Sequence, residues 1–275
     1  MKKVTTLLLA GIILMLIAPN YCTAAVTDTS ANNMVFSVSK VLGDNMVVQR
    51  GKPFTVWGQA PAGDRVEVKV SWNSRAFTVL AGAKGDWEVA IPAAAANSSP
   101  QTIIANDTKN GATNTISNIL IGDVWLCSGQ SNMDMVVDST SSWPGSPGIT
   151  NYKAEIAAAN YPGIRLSKTP YGRPDAPAHY LEHNAPWKIC TPADAGNFSA
   201  IAYLFGRRLH KELNVPIGLV VSSLGATSGE EWTAGQVIAN DTALKAFYTD
   251  KNISKLYNGM IYPLKKLAIK GFLWD

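Results

Sequence analysis

The chain has 275 residues, of which 47% are hydrophobic and 16% charged. That composition excludes a disordered or coiled-coil protein and gives length for two modest domains or one large one. The formal charge of +4 falls to 4 − 2 = +2 if Lys2 and Lys3 leave with a leader, too small a surplus to argue for nucleic acid or an anionic membrane as partner.

Met1 to Ala25 reads as a secretory signal peptide (residues 1–25). Lys2-Lys3 form the positive end, and Leu7 to Ala18 form an apolar core too short to span a bilayer comfortably. Thr23-Ala24-Ala25 offers cleavage, and Cys22 does not sit in a lipid-attachment context. The expectation is a periplasmic or extracellular protein with no membrane association after cleavage. Only Cys127 and Cys190 then remain. They make no disulfide framework, although one Cys127–Cys190 bridge is open in an oxidising compartment.

Residues 35–120 carry short alternating β signals: Val35–Val38, Asn45–Gln49, Phe54–Trp57, Val66–Val70, Arg75–Val79 and Trp87–Ile91. Turn residues separate them, and Gln101–Ala105 and Thr113–Ile119 flank the hairpin signal Asn110-Gly111. Strands this close together, with no helical stretch among them, predict a small antiparallel β-sandwich. Trp57 and Trp87 sit in strand patterns and read as core, while Trp72 is open between packing and sugar binding.

From Ile121 the texture becomes α/β. Val124 to Cys127 predicts a short buried strand, and Ser128-Gly129 breaks it before Gln130-Ser131. A serine just past a strand's carboxyl end, on a glycine turn, is how α/β hydrolases expose a nucleophile, and the same pattern also makes an ordinary turn. A Ser/Thr/Pro/Gly loop with Trp143 follows, then a short helix over Asn151–Ala159 and a strand at Ile164–Ser167. His179 and His183 are four apart, but Pro177 and Pro186 bracket them and no third ligand is in view, so no metal or cofactor is expected. Phe198–Leu213 is the clearest helix, with Phe198, Ile201, Ala202, Phe205 and Leu209 on one stripe and Gly206 as a cost. His210 reads as a residue of its last turn rather than a base. Ile217–Ser222 predicts a buried parallel strand completing a β-helix-β unit with Ile164.

Gly129-Gln-Ser-Asn-Met133, preceded by Gly122-Asp-Val-Trp125, resembles the first block of the sialate O-acetylesterase family of SGNH-type hydrolases. Ser222-Ser-Leu-Gly-Ala-Thr-Ser-Gly-Glu-Glu-Trp232 is similar to the second block, with Ala226 where glycine is usual. Leu42–Arg50, Val56–Gly58, Trp187–Cys190, Leu256–Ile261 and Ile269–Trp274 also look like the family. The resemblance implies a sandwich over 35–120 followed by a three-layer α/β/α esterase domain over 121–275. It also implies that Ser131 is the nucleophile and that the Ser131 and Gly225 N–H groups form the oxyanion hole. Gln130, Asn132 and Trp143 are expected to contact substrate.

In the family the last strand continues into a Gln-Gly-Glu block, and a later Asp-x-x-His supplies the base. The sequence ends at Asp275 before either, so the esterase domain is expected to be C-terminally incomplete. The function implied is removal of O-acetyl groups from sialic acids or related sugars. An acetylxylan esterase and a catalytically inactive glycan-binding protein are the alternatives.

Overall fold

The computed structural model describes residues 34–139, 148–247 and 252–275. The expected leader and Trp143 lie outside the described residues.

The first strands are β1 Ser37–Val38, β2 Val47–Gln49, β3 Phe54–Gln59, β4 Arg65–Val70, β5 Asn73–Leu80, β6 Asp86–Ile91, β7 Asn97–Asp107 and β8 Thr113–Gly129. Strands β1, β3 and β6 form one antiparallel sheet. Strands β5, β4, β7 and β8 form the second, also antiparallel, but β2 adds to β8 in parallel. Three residues carry no directional signal in sequence, so the orientation of β2 was not foreseeable. Alternation sets the core: Val66, Val68 and Val70 of β4 point inward while Arg65 and Lys69 are exposed. Trp57 and Trp87 are buried with Phe54 and Ile91, as their strand patterns predict.

The two strands expected at 113–119 and 124–127 are one 17-residue strand. The junction between the two expected strands contains Asp123, which is buried inside β8 because its charge is matched. Arg50 donates to it through Nε at 2.9 Å and Nη2 at 2.8 Å, and Gln49 Nε2 lies at 3.2 Å. Gln49 Oε1 also accepts the Val124 N–H at 2.8 Å. The strand bends at Asn118, whose φ is 55°. There the buried Arg165 guanidinium donates to the carbonyls of Asn45, Asn118 and Pro162 at 3.0, 3.1 and 3.0 Å.

Beyond β8 come α1 Ser131–Asp134, α2 Tyr152–Ala157, β9 Tyr161–Lys168, β10 Trp187–Cys190, α3 Pro192–Ala195, α4 Ala200–Leu213 and β11 Ile217–Ser223. Helices α5 Gly235–Asn240 and α6 Thr242–Phe247, a π-helical turn Tyr257–Ile261 and β12 Gly271–Trp274 complete the described chain. The sheet order is β10-β9-β11-β8-β12, with β9, β11, β8 and β12 parallel. Trp187–Cys190, one of the segments that look like the family, is an antiparallel edge strand, fixed by Trp187 Nε1 on the Val41 carbonyl at 3.1 Å.

Ser199 caps α4 by accepting the Ala202 N–H, and Asn214, with φ 50°, ends it. Phe198 therefore lies before the helix rather than in it. The buried face is Ala202, Tyr203 and Gly206. A Cβ at Gly206 would come within 2.5 Å of Leu219 Cδ1, so the glycine that costs helix propensity is what lets α4 lie flat on β11. Every residue of β11 is buried. Leu219 and Val221 pack with the α4 cluster, and Val220 packs with Leu264 and Leu267 on the other side.

Cys127 and Cys190 are free and buried. They lie on β8 and β10, with β11 and β9 between, roughly 14 Å of strand spacing and beyond disulfide reach. The bridge left open by sequence is therefore not made. Among the described residues no helix is long and apolar enough to cross a membrane.

Candidate active site

Strand β8 delivers the serine motif to the carboxyl edge of the parallel strands. Gly129 has φ 141°, and a Cβ there would run into the Asp275 carbonyl oxygen. The two backbones can interlock because position 129 is glycine: Gln130 N–H donates to the Asp275 carbonyl at 2.8 Å, and Asp275 N–H donates to Ser128 at 3.1 Å. Ser131 opens the one-turn helix α1 and is half-buried. Its hydroxyl donates to Gln130 Oε1 at 3.0 Å. Asn132 is exposed, with Nδ2 3.4 Å from Asp275 Oδ1. The turn is anchored from below by Met133, which is fully buried beside the Ser199 hydroxyl.

The loop after β11 meets this turn main chain to main chain. Leu224 N–H donates to the Gly129 carbonyl at 3.2 Å, and the Ser128 hydroxyl donates to the Ser222 carbonyl at 2.6 Å. Gly225 follows at once, half-buried. Ala226 stands at φ 59°, the left-handed region in which a Cβ is strained. Thr227 folds back onto the Leu224 carbonyl at 2.8 Å and holds Trp232 Nε1 at 2.9 Å. Trp232 in turn meets Trp274 edge to face, with ring centroids 5.8 Å apart.

Ser131, Gln130, Asn132 and Gly225 thus share one edge, while Trp143 is outside the described residues. Sequence reasoning missed Asp134. It sits three residues after Ser131, and its Oδ1 accepts the Ser223 hydroxyl at 2.9 Å and Lys168 Nζ at 3.0 Å. The available signal was positional: Lys168 and Ser223 are polar residues ending two strands of the same parallel set. Also missed was the ion pair between Arg173 and the buried Glu231, which ties the loop after β9 to the second block.

The three histidines lie elsewhere. His179 packs edge-on against Tyr262, and His183 lines a cavity beyond β9. His210 is in the last turn of α4, with Nδ1 2.7 Å from the Val215 carbonyl, as its sequence position implies. Among the described residues no group of three or more His, Cys, Asp or Glu is placed to hold a metal.

Comparison with known proteins gives the same picture as the motifs. No family model matches the chain. It is 30% identical to a sialate O-acetylesterase of Homo sapiens over 291 residues, covering 96% of this chain and 52% of that protein. It is 27% identical to one of Rattus norvegicus, covering 84% and 50%. A solved carbohydrate acetylesterase from Xanthomonas citri superposes with a TM-score of 0.75 at 32% identity, over 87% of this chain and 51% of that one. The similarity to sialate O-acetylesterases that the sequence blocks imply is therefore found, and so is a mixed α/β fold like that of a carbohydrate acetylesterase. The chain spans about half the length of the curated relatives it matches.

Proposed function

We propose that this chain carries the nucleophile half of an exported serine esterase that removes O-acetyl groups from sialic acids or related sugars. The observation that carries the reading is the junction of the Ser131 turn with the Gly225 loop through Leu224 N–H and the Gly129 carbonyl. In this reading Ser131 Oγ attacks the acetyl carbonyl, and the N–H groups of Ser131 and Gly225 receive the oxyanion. The sugar oxygen leaves with a proton, and water then releases acetate from the acetyl-serine. Gln130 and Asn132 border the acyl site, and Trp143 is a further proposed substrate contact. Attack requires a base to take the Ser131 proton. None of the three histidines is placed for it, and the family resemblance puts that base on an Asp-x-x-His segment beyond Asp275. Residues 1–25 act as the export signal, 35–120 as the sandwich and 121–275 as the esterase portion.

The test is acetate release from O-acetylated sialic acid and from acetylated xylan by the protein expressed from its whole reading frame. Release from the first supports the sialate reading, and release from xylan alone moves the substrate to plant glycan. No release from either overturns the esterase reading.

A second reading, a glycan-binding protein without turnover, draws on one observation: the Ser131 hydroxyl bonds to Gln130 and not to an imidazole. The coding sequence past the Asp275 codon decides between them. An in-frame Asp-x-x-His favours the enzyme, and a stop codon favours the binder.

A further inference from the structure

The cavity that His183 lines opens off the same sheet edge. Thr169 N–H still pairs with the Val221 carbonyl at 2.8 Å, and the chain then leaves β9 and loops back through residue 183. The loop encloses about 320 Å³ with Gly259, at the lower end of small-molecule sites. It is held at both ends. The Tyr180 hydroxyl lies 2.8 Å from both the Gly58 carbonyl and the Asp86 carboxylate. Asn258 Nδ2 donates to the Pro174 and Asp175 carbonyls at 3.3 and 3.2 Å, and Ala178 N–H returns to Asn258 at 3.0 Å. The hollow is built into the fold and does not depend on one side chain.

Its lining has the chemistry of a polyol site. Arg173 spends one Nη on Glu231, while its other Nη makes no hydrogen bond among the described residues. Glu182 and His183 supply an exposed acceptor and an exposed ring nitrogen. Tyr171 is 61% exposed on the rim and makes no side-chain hydrogen bond among the described residues, leaving a ring face for the C–H face of a sugar. Glu231 offsets Arg173 and Glu182 adds a carboxylate, so the site disfavours an anionic ligand and offers its acceptors to hydroxyls.

We propose that this cavity binds one uncharged pyranose unit of the glycan, stacked on Tyr171 and hydrogen-bonded through its hydroxyls by Arg173 and Glu182. The ligand class rests on the sugar-esterase reading. The test reads binding and not deacetylation, so the two stand or fall separately.

Methyl β-galactoside, methyl β-xyloside and N-acetylneuraminic acid are titrated into the full-length protein by calorimetry. One of the neutral glycosides is expected to bind, and Tyr171→Ala should raise its Kd roughly five- to tenfold. Arg173→Lys, which keeps the charge beside Glu231 but removes the second Nη, should weaken it as well. Tyr171 is exposed, so its replacement does not threaten the fold. No binding of a neutral glycoside, binding of N-acetylneuraminic acid alone, or a Kd unchanged in both variants overturns the proposal. Hydrolysis of p-nitrophenyl acetate is followed in parallel. Hydrolysis without sugar binding sinks this site only, and sugar binding without hydrolysis sinks the esterase reading only.

Discussion

The Ser223 hydroxyl donates to Asp134 Oδ1 at 2.9 Å, and Lys168 Nζ meets the same oxygen at 3.0 Å. One carboxylate on the Ser131 turn thereby collects the ends of β9 and β11. Asp134→Ala leaves the buried Ser223 hydroxyl without its acceptor and should cost about 1–3 kcal/mol in urea unfolding. The Lys168 side is half exposed and adds little. Asp134→Asn keeps an acceptor for Ser223 and should cost under ~1 kcal/mol. Equal losses in the two variants would show that the charge on Lys168, and not the Ser223 bond, is what matters.

Ser131→Ala should leave stability within ~1 kcal/mol, since among the described residues the hydroxyl bonds only to the exposed neighbour Gln130. Under the proposed esterase function, the same substitution in the full-length protein should lower kcat by roughly 10⁴–10⁶-fold, because the covalent route is lost. Acetate release from O-acetylated sialic acid measures the second effect, and thermal unfolding measures the first.

Two neighbouring backbone positions should respond in opposite senses. Ala226 pays for a left-handed φ of 59°, so Ala226→Gly should stabilise the fold by about 0.5–1 kcal/mol. Gly129 is hemmed in by the Asp275 carbonyl at φ 141°, so Gly129→Ala should cost about 2–4 kcal/mol. Denaturant midpoints of the two variants check the signs directly.

These residues also show what could be read in advance. Ser131 lies on a glycine turn at a strand end, a local pattern that also makes an ordinary turn, and it was the resemblance to the family's two blocks that singled out Ser131, Gly225 and Ala226. The helix at 200–213 and the parallel pairing of β9 with β11 were legible from local patterns. Asp123 was not: a charge inside a strand looks like a break unless Arg50 and Gln49, more than seventy residues away, are known to meet it. Asp134 was missed because its meaning lies in Lys168 and Ser223, which only the sheet order brings near. Cys127 and Cys190 could be counted in sequence, but the two strands between them could not.

Burial alone would raise the Asp123 carboxyl, but the hydrogen bonds from Arg50 and Gln49, with the Arg50 charge, outweigh it and hold the pKa below its ordinary value. With the folded value depressed, this stabilisation is present above about pH 4 and is lost as pH falls through the folded pKa. Arg50→Ala should cost about 2–3 kcal/mol at pH 7, reduced from a fully buried pair because Arg50 is a third exposed, and less at pH 3. Urea midpoints at the two pH values test this, and a cost independent of pH would refute it.

Burial pushes the Cys127 thiol up to about 12. The raised folded value means that its contribution is fully present below the unfolded pKa, near 9, and is lost as pH rises towards 12. Cys127 and Cys190 should both resist iodoacetamide at pH 8 in the folded protein and react once it is unfolded in urea. Peptide mass spectrometry reads each site. Rapid labelling of either one in the native state would contradict the burial.

Strand β8 runs 17 residues, roughly 55 Å, and passes from the sandwich to the edge that presents Ser131. Its bend at Asn118 is an elbow, and three carbonyls gripping Arg165 lock that elbow. Two of those bonds, to Asn45 and Asn118, join β9 to the β2–β8 side of the elbow, so tilting one side against the other would have to break them. The distance from the far end of β8 to Ser131 is thus set by main-chain pairing and the Arg165 bonds rather than by a loop.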